Sequence, residues 1–367
     1  MKVGIFLVLL CVHRAVVHSA PPEEWQRDIA GSNLIFSDRE DFSEGFLPPI
    51  GNGFLSADGG VLLKDGCLKP SGGNDDPYWY FSGCGRVNIA GVFNNGVGEN
   101  ENIPHRASVP NPHSVYIKNA NANLGLGYDI KRNMFYNKSS VTCLNNNKIR
   151  ANVTLVQYMH RLYHQLQVLE LEYEYEDDNG AKCDIELQPI RYGTYEYDFI
   201  INKSISTDTE YHLTVKRMEE PPLKSTMQPS LPTVITQVFD KIPNAVSFNA
   251  ENNIQTFIAV YKTTVEKSKD VVTSANILQK TKEDFFNFAK MDAQTLKQKH
   301  IQAWEEIFRS GIDIEGNSTI AATVNSSLSY ILSAIRVDQP FGISPGGIAR
   351  GSYNVSQRNN LLYCNTS

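Results

Sequence analysis

From about residue 25 to residue 265 the chain alternates apolar and polar positions with the period of a β-strand. Val153–His160 (VTLVQYMH), Leu166–Tyr175 (LQVLELEYEY) and Thr233–Phe239 (TVITQVF) each carry this two-residue rhythm. Ile254–Tyr261 (IQTFIAVY) is a β-branched and aromatic run suited to a buried strand. Turn-forming clusters separate the runs at Asp177–Gly180, Glu219–Leu223 and Asn249–Asn253, and Pro221–Pro232 reads as a proline-rich loop. Many short strands joined by polar turns predict an antiparallel sandwich rather than a parallel sheet. After Asn276 the period changes. Phe285, Phe288, Ala289, Leu296, His300, Trp304, Ile307 and Phe308 recur at helical spacing, which predicts one long helix or two broken near Met291. Thr281, with Asp284 three residues on, reads as its N-cap, and Gly311 ends the stretch. A second helix is predicted from about Ser318 to Val337, with Ile320, Val324, Leu328, Ile331, Leu332 and Ile335 forming its apolar stripe. The pattern therefore predicts a mainly β protein with α: a large β-sandwich over 20–275, a helical linker over 276–309, and over 310–367 the first piece of an all-α domain.

The chain has 367 residues, of which 41% are hydrophobic, enough for a large core. The formal net charge of −6 comes with no Lys/Arg block, which argues against nucleic acid or an anionic membrane as partner. Lys2, the apolar run Val3–Val12 and the small or medium Val17 and Ser19 form the pattern of a secretory signal cleaved after residue 19. The run is far short of a membrane span, and no later segment is apolar enough to span. A secreted protein, or one in the lumen of the secretory or lysosomal pathway, is expected. Removal of residues 1–19 deletes Lys2, Arg14 and Cys11, and shifts the charge from −6 to −8. Five cysteines remain: Cys67, Cys84, Cys143, Cys183 and Cys364. Cys67 and Cys84 flank one Gly/Pro-rich loop and form the simplest pair of several possible. Cys143 with Cys183 is the weaker second pair, leaving Cys364 free. No Cys/His spacing suggests a metal site. Acceptor motifs for N-glycosylation occur at Asn137, Asn152, Asn202, Asn317, Asn325, Asn354 and Asn365.

Several short motifs, in order, resemble glycoside hydrolase family 65, a family of trehalases, disaccharide phosphorylases and glucosidases. They are Ile50–Leu55 (IGNGFL), Ala90–Asn94 (AGVFN), the pair His105–Arg106 followed by Pro110–Pro112 (PNP), and His300–Trp304 (HIQAW). Ser310–Gly316, Leu328–Ile335 (LSYILSAI) and Gly342–Ser352 (GISPGGIARGS) continue the series, so the resemblance covers roughly residues 30–355. It implies a β-sandwich, linker helices and an (α/α)6 barrel of which 310–367 would be the beginning. It also implies a glucose-terminated glycan or disaccharide as substrate, inversion of configuration, and no metal or organic cofactor. Two departures stand out. The segment from Cys67 to Cys84 looks like an insertion. The last residues, Tyr353–Ser367, lack the Trp-Asp pair that follows the SPGG segment in the family. The family's acid and base lie further downstream again, so the chain is expected to be a fragment without turnover of its own.

Inverting glycoside cleavage needs a carboxylic acid and a second carboxylate about 6.5–9.5 Å apart across a sugar pocket, or phosphate in place of the second. The carboxylates near the barrel start are Glu305, Glu306, Asp313, Glu315 and Asp338. Glu305 and Glu306 read as a solvated helix face, and Asp313 and Glu315 as the exposed side of a strand, so no catalytic residue is assigned. Asn95, His105 and Arg106 lie in or beside a Gly/Asn-rich loop that could reach sugar hydroxyls, or could simply hold itself together. Asn52 between Gly51 and Gly53 reads as a turn, and His300 with Trp304 as packing between linker helix and sandwich. Trp79 reads as buried under the insertion rather than as a sugar platform. No G-x-G-x-x-G or G-K-[ST] motif supports nucleotide binding. The competing reading is a non-catalytic secreted β-sandwich glycoprotein that binds carbohydrate or a partner. A single barrel helix with an uncovered apolar stripe predicts poor secretion, relieved by truncation near Phe308.

Overall fold

A computed structural model of the chain describes residues 20–38, 48–58, 86–94, 105–175, 182–189, 210–214, 234–264, 276–309, 312 and 314–338. The signal segment, Cys67, Cys84, Cys364, Trp79, Asn95, Asp313 and the SPGG segment lie outside the described residues. An eight-stranded antiparallel sheet forms the body of the protein. In spatial order its strands are β1 (Leu34–Ser37), β7 (Ala120–Asp129), β8 (Met134–Cys143), β9 (Asn146–Met159), β10 (Leu166–Tyr175), β15 (Ile254–Thr263), β13 (Val234–Phe239) and β12 (Glu210–Thr214). Two smaller sheets cover one of its faces. One has the order β14 (Ala245–Phe248), β11 (Cys183–Pro189), β6 (Val115–Ile117). The other runs β2 (Pro49–Gly51), β3 (Leu55–Asp58), β4 (Arg86–Asn94), β5 (His105–Pro110). The main core lies between these layers and includes Ile50, Phe54, Leu55, Val87, Ile89, Val153, Leu155, Leu169, Leu171, Phe248 and Tyr261.

The large sheet is buried on both faces at its centre. In β10, Leu169, Leu171 and Tyr173 enter the main core, while Leu166 and Val168 face a second cluster under the helices. The period-two rhythm of this strand is real, but two of its polar members are not solvated. Gln167 and Glu170, on opposite faces, are both buried, because each face of the strand meets protein. Gln167 accepts from the Tyr261 hydroxyl at 2.6 Å and donates to Asn111 at 2.8 Å.

Four helices are described: α1 (Glu23–Ala30), α2 (Ile277–Ala289), α3 (Ala293–Phe308) and α4 (Ser318–Ala334). α1 sets Trp25 against Phe36 and Tyr136 at the β1 edge. α2 and α3 bury Phe285, Phe288 and Leu296 against Val156, Tyr158, Val168, Ile258 and Val260. The break predicted near Met291 is present, since Asp292 caps α3 by accepting from the Thr295 amide at 2.8 Å. Thr281 is not an N-cap. α2 begins one turn earlier, at Ile277, and the Thr281 hydroxyl donates back to the Ile277 carbonyl at 2.7 Å. The strand expected around Asp313 and Glu315 is not formed by the described residues Ile312 and Ile314–Gly316. Gly316 adopts a φ of 84°, and Asn317 caps α4 through the Ile320 amide.

A disulfide joins Cys143 at the end of β8 to Cys183 at the start of β11, with Cα atoms 5.0 Å apart. It ties the large sheet to a small one. Of the glycosylation motifs, Asn137 and Asn325 are only 7% and 8% exposed, which leaves no room for a glycan on the folded chain. Asn152 is half-buried, the Asn317 side chain is engaged in capping α4, and Asn202, Asn354 and Asn365 lie outside the described residues.

Candidate functional site

Of the residues proposed to touch sugar, Asn95 lies outside the described residues. His105 and Arg106 begin β5, paired with Asn94 and Phe93 of β4 across an irregularity in register, and only their backbone is described. The family-like motifs at Ile50–Leu55, His300–Trp304 and Leu328–Ile335 do converge. They meet where the β2–β3 turn, α3 and the C-terminal end of α4 join.

Asn52 organises the turn. Its Oδ1 accepts from the amides of Phe54 and Leu55 at 2.9 and 2.8 Å, and its Nδ2 donates to the carbonyls of His160 and His164 at 3.0 and 2.8 Å. Gly53 follows with a φ of 86°, where a Cβ would overlap the Ile335 backbone. Its amide donates to the Ser333 carbonyl at 2.8 Å. Gly51 donates to Asn133 Oδ1 at 2.7 Å, and a Cβ there would come within 2.8 Å of the Ser333 carbonyl oxygen. The two glycines thus let α4 lie directly on backbone.

The face of α4 that is buried is its polar one. Ala321, Asn325, Ser329 and Ser333 are buried at four-residue spacing, with Ala334 beside them in the main core. Ser329 Oγ lies 3.0 Å from the Tyr128 hydroxyl and accepts from Asn133 Nδ2 at 3.3 Å, while that amide also donates to Tyr128 at 2.7 Å. Burial raises the Tyr128 hydroxyl well above the usual phenol range, so this triad stays neutral. Of the apolar stripe read from the sequence, Ile320, Ile331 and Ile335 are each about half exposed, at 50%, 52% and 50%.

Arg161, just after β9, closes the joint. Its Nη1 donates to the carbonyls of Asn52 (2.9 Å), Leu332 (2.9 Å) and Ile335 (3.3 Å), and its guanidinium lies 5.0 Å from the Trp304 ring centroid. A cation at the C-terminal end of a helix also complements the helix dipole. Burial and the neighbouring Arg336 lower its pKa to about 10, which leaves it charged at neutral pH. Arg336 donates to the Arg161 carbonyl and forms a two-pronged pair with Asp338 at 2.7 and 2.8 Å, which holds that carboxylate below its usual range. His300 and Trp304 are fully buried and serve the packing role expected of them.

Glu305, Glu306 and Glu315 are exposed. Glu170 is raised by burial and opposed by Lys297, and it accepts from the Tyr158 hydroxyl at 2.9 Å and pairs with Lys297 at 3.0 Å. Asp129, also raised by burial, accepts from the Arg132 amide at 2.8 Å and its guanidinium at 3.1 Å. An open groove of about 500 Å³ runs along Asp240–Asn244 and Gln255–Phe257, but its carboxylate, Asp240, accepts from the Ile258 amide at 2.9 Å. No group of three or more His, Cys, Asp or Glu able to hold a metal occurs among the described residues, and none of their helices is long and apolar enough to cross a membrane.

No family model matches the chain. The chain is similar to a protein-glucosylgalactosylhydroxylysine glucosidase of Dictyostelium discoideum, with 24% identity over 350 residues, 91% of this chain and 42% of the relative. A solved structure described as a kojibiose phosphorylase from human microbiome superposes with a TM-score of 0.53 at 10% identity, covering 83% of this chain and 42% of that one. The chain therefore spans less than half the length of either protein. The second likeness shows a shared fold: large antiparallel sheets with helices packed on them.

Proposed function

We propose that the chain is the N-terminal part of a glycoside hydrolase resembling family 65: its β-sandwich, its helical linker and the first helix of its (α/α)6 barrel. One observation carries the reading, the similarity to a glucosidase across 91% of the chain. The fold shared with a disaccharide phosphorylase supports it. So does the convergence of three family-like motifs on the joint beneath α4, where the sequence would have to be kept for the sandwich to seat a barrel. The substrate would be a glucose-terminated glycan or disaccharide, taken in the secretory pathway or outside the cell, with the reacting carboxylates on barrel segments beyond Ser367. Asn95, His105 and Arg106 would contribute from the sandwich side.

The test is glucose release from a glucosylgalactosyl-hydroxylysine peptide, from trehalose and, with phosphate, from kojibiose. It uses the natural polypeptide that contains this chain, alongside the chain alone. Release by the longer polypeptide on any of the three is the expected outcome. Glycan binding by the longer polypeptide without turnover on any of them would instead favour a non-catalytic carbohydrate-binding protein.

A further inference from the structure

The joint between α3 and the large sheet holds two histidines whose four ring nitrogens are all engaged by backbone. His160 follows β9. Its Nε2 lies 3.0 Å from the Leu296 carbonyl, which can only accept, so Nε2 carries the proton. Its Nδ1 is then bare and accepts from the Tyr163 amide at 3.1 Å. His300 on α3 repeats the arrangement. Nε2 donates to the Arg132 carbonyl at 2.7 Å, and Nδ1 accepts from the Arg161 amide at 3.1 Å. Each ring is fixed as one neutral tautomer that bridges α3 to the sheet or its loops. A proton added at either Nδ1 would set N–H against N–H and break a bridge.

The surroundings oppose such a proton. The two rings are 5.6 Å apart, between Tyr158, 4.5 Å from His300, and Tyr163, 4.7 Å from His160. Cations approach from several sides: Lys297 and Lys299 on α3, Arg161 after β9 and Arg336 after α4. The nearby carboxylates are already held, Glu170 and Glu172 by Lys297, Asp129 by Arg132 and Asp338 by Arg336. Exposed Glu305 on α3 faces Arg132.

We propose that His160 and His300 form an acid-operated latch: neutral, they clamp α3 to the sheet, and protonation releases α3, and with it the Trp304 support of Arg161, before the sandwich itself opens. Burial lowers both rings, His160 to about 4 and His300 well below its ordinary value. A released ring regains a pKa of about 6.5, so the released state binds protons more readily. The clamp is therefore complete above about pH 6.5 and weakens as pH falls from there toward about 4.

Hydrogen–deuterium exchange of the whole chain between pH 7.5 and 4.5, corrected for intrinsic exchange rates, tests this. Below about pH 6 the amides of Ala293–Phe308 should lose protection by up to tenfold per pH unit for each histidine, while those of Val153–Met159 and Leu166–Leu171 hold theirs. His160→Gln and His300→Gln keep a donor near the Nε2 position but do not titrate, and each should flatten the profile of α3. Glu170→Gln removes the competing acid-sensitive pair and should leave the slope unchanged. Protection of α3 that is constant to pH 4.5, or lost together with the sheet, would overturn the latch. So would histidine variants with the native slope, or an E170Q variant without it. If the histidine variants do not fold, the order of loss in the native chain and the E170Q profile still decide the matter.

Discussion

One guanidinium at the joint gathers a turn, a helix end and an indole. Three of the Arg161 acceptors are carbonyls 109, 171 and 174 residues away in sequence, so nothing near residue 161 announced its role. Arg161→Ala should cost about 2–4 kcal/mol in urea unfolding, because charged hydrogen bonds contribute about 1.5–3 kcal/mol each in favourable cases and three carbonyls would lose their donor. Arg161→Lys should recover less than half of that, since an ammonium cannot reproduce the planar fork or its stacking on Trp304. The turn was easier to read, because Asn between two glycines has few other uses. What the residues did not disclose is that the turn carries a helix. Two glycines with nearly equal φ separate these effects. Gly53 and Gly316 adopt 86° and 84°, yet a Cβ at Gly316 meets nothing within 4 Å, whereas one at Gly53 overlaps the Ile335 backbone just after α4. Gly316→Ala should therefore cost about 1–2 kcal/mol, the left-handed strain alone. Gly53→Ala should cost clearly more in the same thermal unfolding series.

At the scale of elements, period gave type and failed to give face. β9, β10 and β13 were legible by their alternation, β15 by its β-branched and aromatic run, and α2 and α3 because their apolar positions recur every third or fourth residue. α4 was legible as a helix and misleading as a surface. Its isoleucines mark the side a core would take, but the sandwich offers Tyr128 and Asn133, which need hydroxyl partners, and two glycines that admit only small residues. The Ala321–Asn325–Ser329–Ser333 side satisfies both demands. Ser329→Leu should accordingly destabilise the chain by about 1–3 kcal/mol, by crowding the site and removing the hydroxyl that Tyr128 and Asn133 share. Ile331→Lys, in the middle of the apparent apolar stripe, should change stability by no more than about 0.5 kcal/mol and reduce dye binding to exposed apolar surface. Local pairing makes Cys67–Cys84 the simpler reading of the sequence, whereas Cys143 and Cys183 are separated by 40 residues. The approach of the small sheet to the large one, which no local signal reports, brings them together. Replacing both by serine should cost about 4 kcal/mol by the loop-entropy argument, read as a shift in denaturation midpoint of the oxidised chain.

For the whole molecule, the change of sequence period near residue 276 coincides with a change of secondary structure, but the cooperative unit runs further. The sandwich depends on α4 for the Ser333 carbonyl that receives the Gly53 amide, the Ser329 hydroxyl between Tyr128 and Asn133, and two of the Arg161 acceptors. Truncation near Phe308 looked from sequence like a remedy for an exposed stripe. The geometry argues for the opposite result. A chain ending at Phe308 should melt several degrees below one ending at Asp338, because the cut strips buried partners from groups that stay in the sandwich. The inward-facing polar side of α4 thus bears on how such proteins can be assembled over time. A recombination event that swapped sandwiches between parents at the end of the linker would separate Arg161 from its carbonyls and Gly53 from the helix it admits. Exchange would succeed only when the crossover falls after α4, so the first helix of the following region should be inherited with the sandwich that precedes it.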